Sequence, residues 1–215
     1  MSSREQILGR LRQRKERPFP TSEPAPTHRA VVPPGDQSPV AWRARFIDEA
    51  QKAGCIVHEA DSPEAAIAVI LEIVGEDTAV SAWDPAHIPL LGLGKALDKA
   101  NIKRVEQDAG VRVGLTGVDA ALAATGSVVV VSGNGRARTA SLLPPIHIAV
   151  VTASQIMPDL ESWWAAQKAA GWEQIRRHSN VVVITGPSRT ADIAMQLVMG
   201  MHGPRNLHLV LLADS

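Results

Sequence analysis

The run Val128-Val129-Val130-Val131 constrains this chain more than any other feature. Consecutive β-branched residues favour extended backbone. A strand points alternate side chains to opposite faces, so an apolar run without polar alternation has both faces buried. Such a strand needs a layer of structure above it and another below. The same texture returns at Ile146 to Thr152, Val181 to Ile184 and Leu207 to Leu212. Helical spacing separates many of the strand-like runs, which is the rhythm of βαβ units. The expected fold is α/β, with a mostly parallel sheet flanked by helices.

The pattern divides the 215 residues into three parts. Residues 1–17 hold a short helix, with Ser2 and Glu5 spaced as a capping box. Ile7, Leu8 and Leu11 share one of its faces, and Arg10, Arg12, Arg14 and Lys15 make the rest basic. Residues 18–39 contain Pro18, Pro20, Pro24, Pro26, Pro33, Pro34 and Pro39. That density forbids helix and central strand, so an extended arm or linker is expected. Residues 40–215 form the body. There, helices are expected at Trp42 to Ala53, Asp61 to Val74, Leu93 to Ala100, Val118 to Ala123, Pro158 to Ala170 and Ala191 to Met199. Further strands are expected at Cys55 to Glu59, Thr78 to Trp83, Ile102 to Glu106 and Gly126 to Ser132, and Gly133-Asn134-Gly135 marks a turn.

Composition excludes several function classes. Lys+Arg and Asp+Glu both number 22, aromatics are 3% and there is no Tyr. A basic nucleic-acid surface with stacking platforms is not expected. The single cysteine, Cys55, cannot form an internal disulfide or supply a cysteine-ligated iron–sulfur cluster. It opens an apolar run, which suits a buried inert thiol better than a nucleophile. The amino terminus lacks the apolar stretch of a secretion signal, and no run is long enough to cross a bilayer. A cytoplasmic protein is expected, with no membrane partner.

Four polar segments are candidates for chemistry. Gly186-Pro187-Ser188-Arg189-Thr190-Ala191-Asp192 follows the apolar run ending at Ile184. Read as a strand-to-helix junction, it would offer free N–H groups, the Arg189 charge and the Ser188 and Thr190 hydroxyls to a carboxylate or phosphate. The alternative is a helix cap, with Arg189 paired to Asp192. Thr125-Gly126-Ser127 pairs two hydroxyls with a close-approach glycine; the alternative is a helix C-cap followed by a strand. Arg136 and Arg138 lie two apart in a glycine-led loop, either clamping an anion or sitting in solvent at a hairpin tip. His202 and Gly203 lie in Gly200-Met201-His202-Gly203-Pro204-Arg205, a stiff loop before the last strand that holds His202 for acid–base or ligand work; the alternative is that His202 bonds a helix-end carbonyl. His202 and Asp192 are therefore the acid–base candidates. His147, within an apolar strand, reads as a core residue. None of these has the ligand spacing of a metal site, so no metal is expected. Gly92-Leu93-Gly94-Lys95 lacks the length of a phosphate-binding loop, and no nucleotide cofactor is expected.

Three stretches, in order, resemble the lactate-utilisation (LUD) domain family, and its lactate utilisation protein C and YkgG-like members in particular. They are Leu115-Thr116-Gly117-Val118-Asp119 running through Ala123-Ala124-Thr125-Gly126-Ser127, Ser141-Leu142-Leu143-Pro144-Pro145-Ile146-His147, and Gly186 to Ile193 with Gly200 to Arg205. The resemblance implies a fold similar to the sugar-phosphate isomerase and CoA-transferase-like (NagB/RpiA/CoA transferase-like) superfamily. It also implies a non-redox accessory role in oxidising L-lactate to pyruvate, beside two sister proteins: a cysteine-rich oxidase subunit and an iron–sulfur LUD protein. One position departs from the pattern. Ala124 stands where the family often has an acidic residue, which puts catalysis rather than binding in question. The alternative is a free-standing isomerase- or transferase-like enzyme acting on a sugar phosphate or an acyl-CoA. Homo-oligomerisation stays open.

Overall fold

The structure, a computed structural model, describes residues 3–15, 36–106, 108, 110–191 and 197–213. The chain divides into two compact units, Met1–Ala30 and Val31–Ser215. Within the first, α1 spans Ser3–Lys15. The proline arm at 18–39 lies largely outside the described residues.

The second unit opens with α2 (Pro39–Lys52), whose start is capped by the Ser38 side chain accepting from the Ala41 N–H. β1 (Ile56–Ala60) follows. α3 (Pro63–Val74) starts at Ser62, which caps Ala65, and Pro63 occupies the first turn where its missing N–H costs nothing. Then come β2 (Ala79–Ala82), α4 (Leu93–Lys99), β3 (Lys103–Val105) and β4 (Val113–Gly117). β5 (Ala120–Leu122) and β6 (Ser127–Ser132) form a hairpin, followed by β7 (Ile146–Thr152), β8 (Ile156–Met157), α5 (Leu160–Ala169) and α6 (Glu173–Arg177). β9 (Asn180–Ile184), β10 (Arg189–Ala191), β11 (Leu197–Met199) and β12 (Asn206–Leu212) complete the unit.

Six strands form a wholly parallel sheet in the order β1-β12-β7-β4-β2-β3. α3 packs on β1 and β12. A second, four-stranded sheet runs β8-β5-β6-β9. The valine run lies in it, and period two sorts the side chains: Val128 and Val130 join the main core, while Val129 and Val131 join a smaller cluster with Leu122 and Trp163. Each face of β6 thus has its own apolar layer, as the unbroken run requires.

Three expectations are corrected. Val118 to Ala123 is not a helix, because Ala121 is drawn into the main core while Ala120 and Leu122 face the smaller cluster. That alternation belongs to a strand, and tertiary burial overrides the helical preference of alanine. The stretch Ala191 to Met199 is not helical at its described residues either. Its ends pair as an antiparallel ribbon, with Arg189 opposite Met199 and Ala191 opposite Leu197. The Ser188 carbonyl accepts from the Gly200 N–H at 2.9 Å, drawing the two arms together. Asp192 lies outside the described residues. The third correction adds a strand. β4 sits in the middle of the sheet with all five residues buried. Its Gly114 and Gly117 hide the apolar pattern, and Gly114 is required because a Cβ there would collide with the Ala140 carbonyl.

Candidate functional site

The candidate residues are gathered mainly by the carboxyl end of α2. Gly54 ends that helix at φ +93, and a Cβ on it would collide with the Arg189 guanidinium. The bare backbone lets Arg189 lie across the helix end, where its Nη2 donates to the Ala53 carbonyl at 2.8 Å. This satisfies a carbonyl that the helix itself cannot pair, and it places a cation at the negative end of the helix dipole. Gly126 turns β5 into β6 at φ +63, its backbone packed on Glu49 and Ala50 of the same helix. Gly186, buried, packs on Ala53.

Hydroxyl groups lie at the start of β6 and just past the end of β9. The Thr125 and Ser127 hydroxyls lie 2.7 Å apart, and Ser127 is 2.7 Å from Thr185. Ser127 is buried, whereas Thr125 and Thr185 are exposed, so the chain is open at both ends. In such a chain two of the three protons are used internally. The third is free to donate from an exposed end, and either threonine can present it.

The His202 loop meets these groups at Ser188. The Ser188 N–H donates to the Pro204 carbonyl at 2.9 Å, and the His202 N–H donates to Ser188 Oγ at 3.4 Å. Gly203 lies against the Ser188 side chain. The imidazole of His202 is exposed. Thr190, half-buried, pairs with Val198 in the ribbon. Thr125, Gly126, Ser127, Gly186, Ser188, Arg189, Thr190, His202 and Gly203 therefore form one connected neighbourhood. Cys55 lies under it. Burial pushes its thiol up to about 11, although the Gly186 backbone and the Arg189 charge pull the other way.

The location differs from the expected strand-to-helix junction. Ile184 ends a strand of the second sheet, and the next described elements are the strands β10 and β11 rather than a helix. The neighbourhood lies at the amino ends of the parallel strands: Cys55 precedes β1, and the Arg205 N–H donates to the Pro145 carbonyl just before β7. Arg136 and Arg138 are elsewhere. β6 carries the chain from Ser127 to Ser132, about 17 Å at the usual rise, and Arg136 follows it. Its guanidinium bonds Asp119 at 2.7 Å and lies 5.1 Å from the centre of the Trp83 ring. Asp119, only 3% exposed at its side chain, also accepts from the Val131 N–H and from Gln174. Arg136 thus neutralises a buried carboxylate. Arg138 is exposed at the start of a short 3-10 turn, Arg138–Ser141.

Sequence reasoning missed what lies at the other ends of the strands. A cavity of about 720 Å³ opens beside Leu90, Leu93, Thr152 and Leu212. A second, of about 470 Å³, opens beside Trp83 and Arg104. No local motif signals either one, because crossover connections bring their walls together. Among the described residues, no group of three or more His, Cys, Asp or Glu is placed to hold a metal, and no helix is long and apolar enough to cross a membrane.

Comparison with known proteins adds ancestry to this geometry. The sequence profile of the LUD domain matches residues 43–212. Lactate utilization protein C of Geobacillus sp. (strain WCH70) is 37% identical over 145 residues, 65% of this chain and 52% of that protein. The chain thus spans about half the length of that relative. The Halalkalibacterium halodurans protein of the same name is 32% identical, over 72% of this chain and 70% of its own. The crystal structure of a DUF162 family protein from Deinococcus radiodurans superposes with a TM-score of 0.61 at 24% identity, covering 82% of this chain and 99% of that one. It shares the fold.

Proposed function

This chain belongs to the LUD domain family, and on that footing we propose that it is a non-redox accessory component of an L-lactate utilisation system, with a recognition site for a small carboxylate at the end of α2. The observation that supports the site is that Arg189 lies across the end of α2, with the Thr125–Ser127–Thr185 hydroxyl chain leading into the same segment and the His202 loop held at Ser188. Arg189 spends one donor on Ala53 and keeps the others for a carboxylate, which a guanidinium can grip with paired hydrogen bonds. The hydroxyl chain supplies one more donor. The α2 dipole opposes an anion here, so affinity rests on Arg189. The names of the relatives supply the pathway.

Lactate oxidation removes an electron pair, which needs a carrier. One buried cysteine is a poor basis for a cluster. This supports a division of labour in which a cysteine-rich oxidase subunit and an iron–sulfur LUD protein carry the electrons. Both sister proteins should co-purify with the tagged chain. A strain lacking the chain should grow poorly on L-lactate, and the wild-type chain should restore growth where Arg189→Ala does not. Normal growth of the deletion strain on lactate would contradict the proposal.

A further inference from the structure

The order of the parallel strands marks one place on the sheet as special. From β2 the chain moves through α4 to β3 on one side, whereas β4, β7 and β12 step away on the other. The direction of progress therefore reverses between β2 and β4. At such a switch point, crossovers leave the sheet on opposite faces and a crevice opens at the carboxyl ends of the strands. Here Gly135 is drawn over that crevice, its carbonyl accepting from the Asp84 N–H at 2.8 Å. Beside it, at the carboxyl ends of β2 and β3, opens the cavity of about 470 Å³, a size typical of small-molecule sites.

The charges lining this cavity are of both signs. Lys95 and Arg104 are positive; Asp84, Asp98 and Glu106 are negative. Two of the five are engaged with each other, Arg104 Nη2 lying 3.3 Å from Asp98 Oδ1. Asp84 already accepts from the Ala86 N–H at 2.9 Å. Lys95, on α4, and Glu106, just beyond β3, line the same cavity, and neither side chain has an ion-pair partner among the described residues. A simple anion would meet a majority of carboxylates, and a simple cation would meet Lys95 and Arg104. A small molecule carrying both signs meets Lys95 with its negative end and Glu106, a carboxylate like Asp84, with its positive end.

We propose that this cavity is a second binding site, for a small zwitterion of the α-amino-acid type, its carboxylate on Lys95 and its ammonium on Glu106. The site is independent of the carboxylate neighbourhood at the end of α2, and its ligand makes no use of Arg189. The test is calorimetric titration of the whole protein with the free α-amino acids, followed by the methyl ester and the N-acetyl derivative of the best binder. The free amino acid should bind, and blocking either charged end should weaken it at least about tenfold, ~1.4 kcal/mol. Lys95→Gln and Glu106→Gln should each weaken the free amino acid to a similar extent. Glu106→Gln alone should abolish the discrimination against the N-acetyl form. Both side chains are exposed and have no ion-pair partner among the described residues, so an unchanged melting temperature shows that the variants fold. The Trp83 indole N–H resonance should shift on binding, because Trp83 lines the cavity. Absence of binding at millimolar amino acid would overturn the proposal, as would equal binding of the N-acetyl form to the wild-type protein.

Discussion

His147 should make this protein acid-labile by an amount that can be calculated. The residue is 0% exposed, on β7 between Gly114 of β4 and Leu207 of β12. Its Nε2 lies 2.8 Å from Thr116 Oγ1, and its Nδ1 has no hydrogen-bond partner. The favoured tautomer carries the proton on Nε2, because a bare lone pair on Nδ1 costs less than an orphaned N–H. Burial alone lowers the pKa from 6.5 to about 4. Between those values the unfolded chain binds a proton that the folded chain refuses, so stability is complete above 6.5 and declines as pH falls toward 4. At ~1.4 kcal/mol per pH unit the whole effect is about 3 kcal/mol, of which about 2 is lost between roughly pH 7 and pH 5. The comparison is urea unfolding of the wild type and of the double variant His147→Leu/Thr116→Val, which removes both polar partners together. Over that range the wild type should lose about 2 kcal/mol more than the variant. Parallel pH profiles would refute the reasoning, as would an imidazole NMR titration of His147 with a midpoint near 6.5.

Other perturbations test the supporting geometry. Gly126→Ala should destabilise by more than the ~1 kcal/mol that a left-handed alanine costs, because its methyl group collides with the Ala50 backbone; an unchanged thermal midpoint would show that the turn is wrongly described. Asp119→Ala leaves Arg136 and the Val131 N–H without their acceptor and should cost about 3–5 kcal/mol in urea unfolding. A loss below about 1 kcal/mol would mean that Arg136 is free for other work. Cys55, its thiol pushed up to about 11, should react with a thiol reagent near neutral pH far more slowly in the native protein than in urea, and equal rates would contradict its burial.

The legible part of this fold is the part carried by side-chain texture. Val128 to Val131, Ile148 to Val151 and Leu209 to Leu212 announce buried strands because apolar surface has no other use at that density. Ser62 with Pro63 announces a helix start through local hydrogen-bonding need. β4 was hidden because its information lies in what approaches it: Gly114 makes room for the Ala140 carbonyl, and Thr116 meets His147. The alanines of β5 favour a helix in isolation and become a strand only between two apolar layers. In the candidate site, Ser188, Arg189 and His202 are each readable as polar groups in glycine- and proline-shaped segments, but their proximity is not, and neither is Arg136 as the partner of Asp119, 17 positions earlier. Lys95 and Glu106 reach one cavity only through the β2–α4–β3 crossover, which no local spacing encodes.

The central claim is that Arg189 holds a small carboxylate at the end of α2, and calorimetric titration of L-lactate and of acetate into the wild type and Arg189→Ala addresses it most directly. The wild type should give saturable binding that the variant weakens at least about tenfold, ~1.4 kcal/mol, with the fold unchanged by circular dichroism. Equal affinity of the two proteins for both carboxylates, or no saturable heat from either protein, would contradict it.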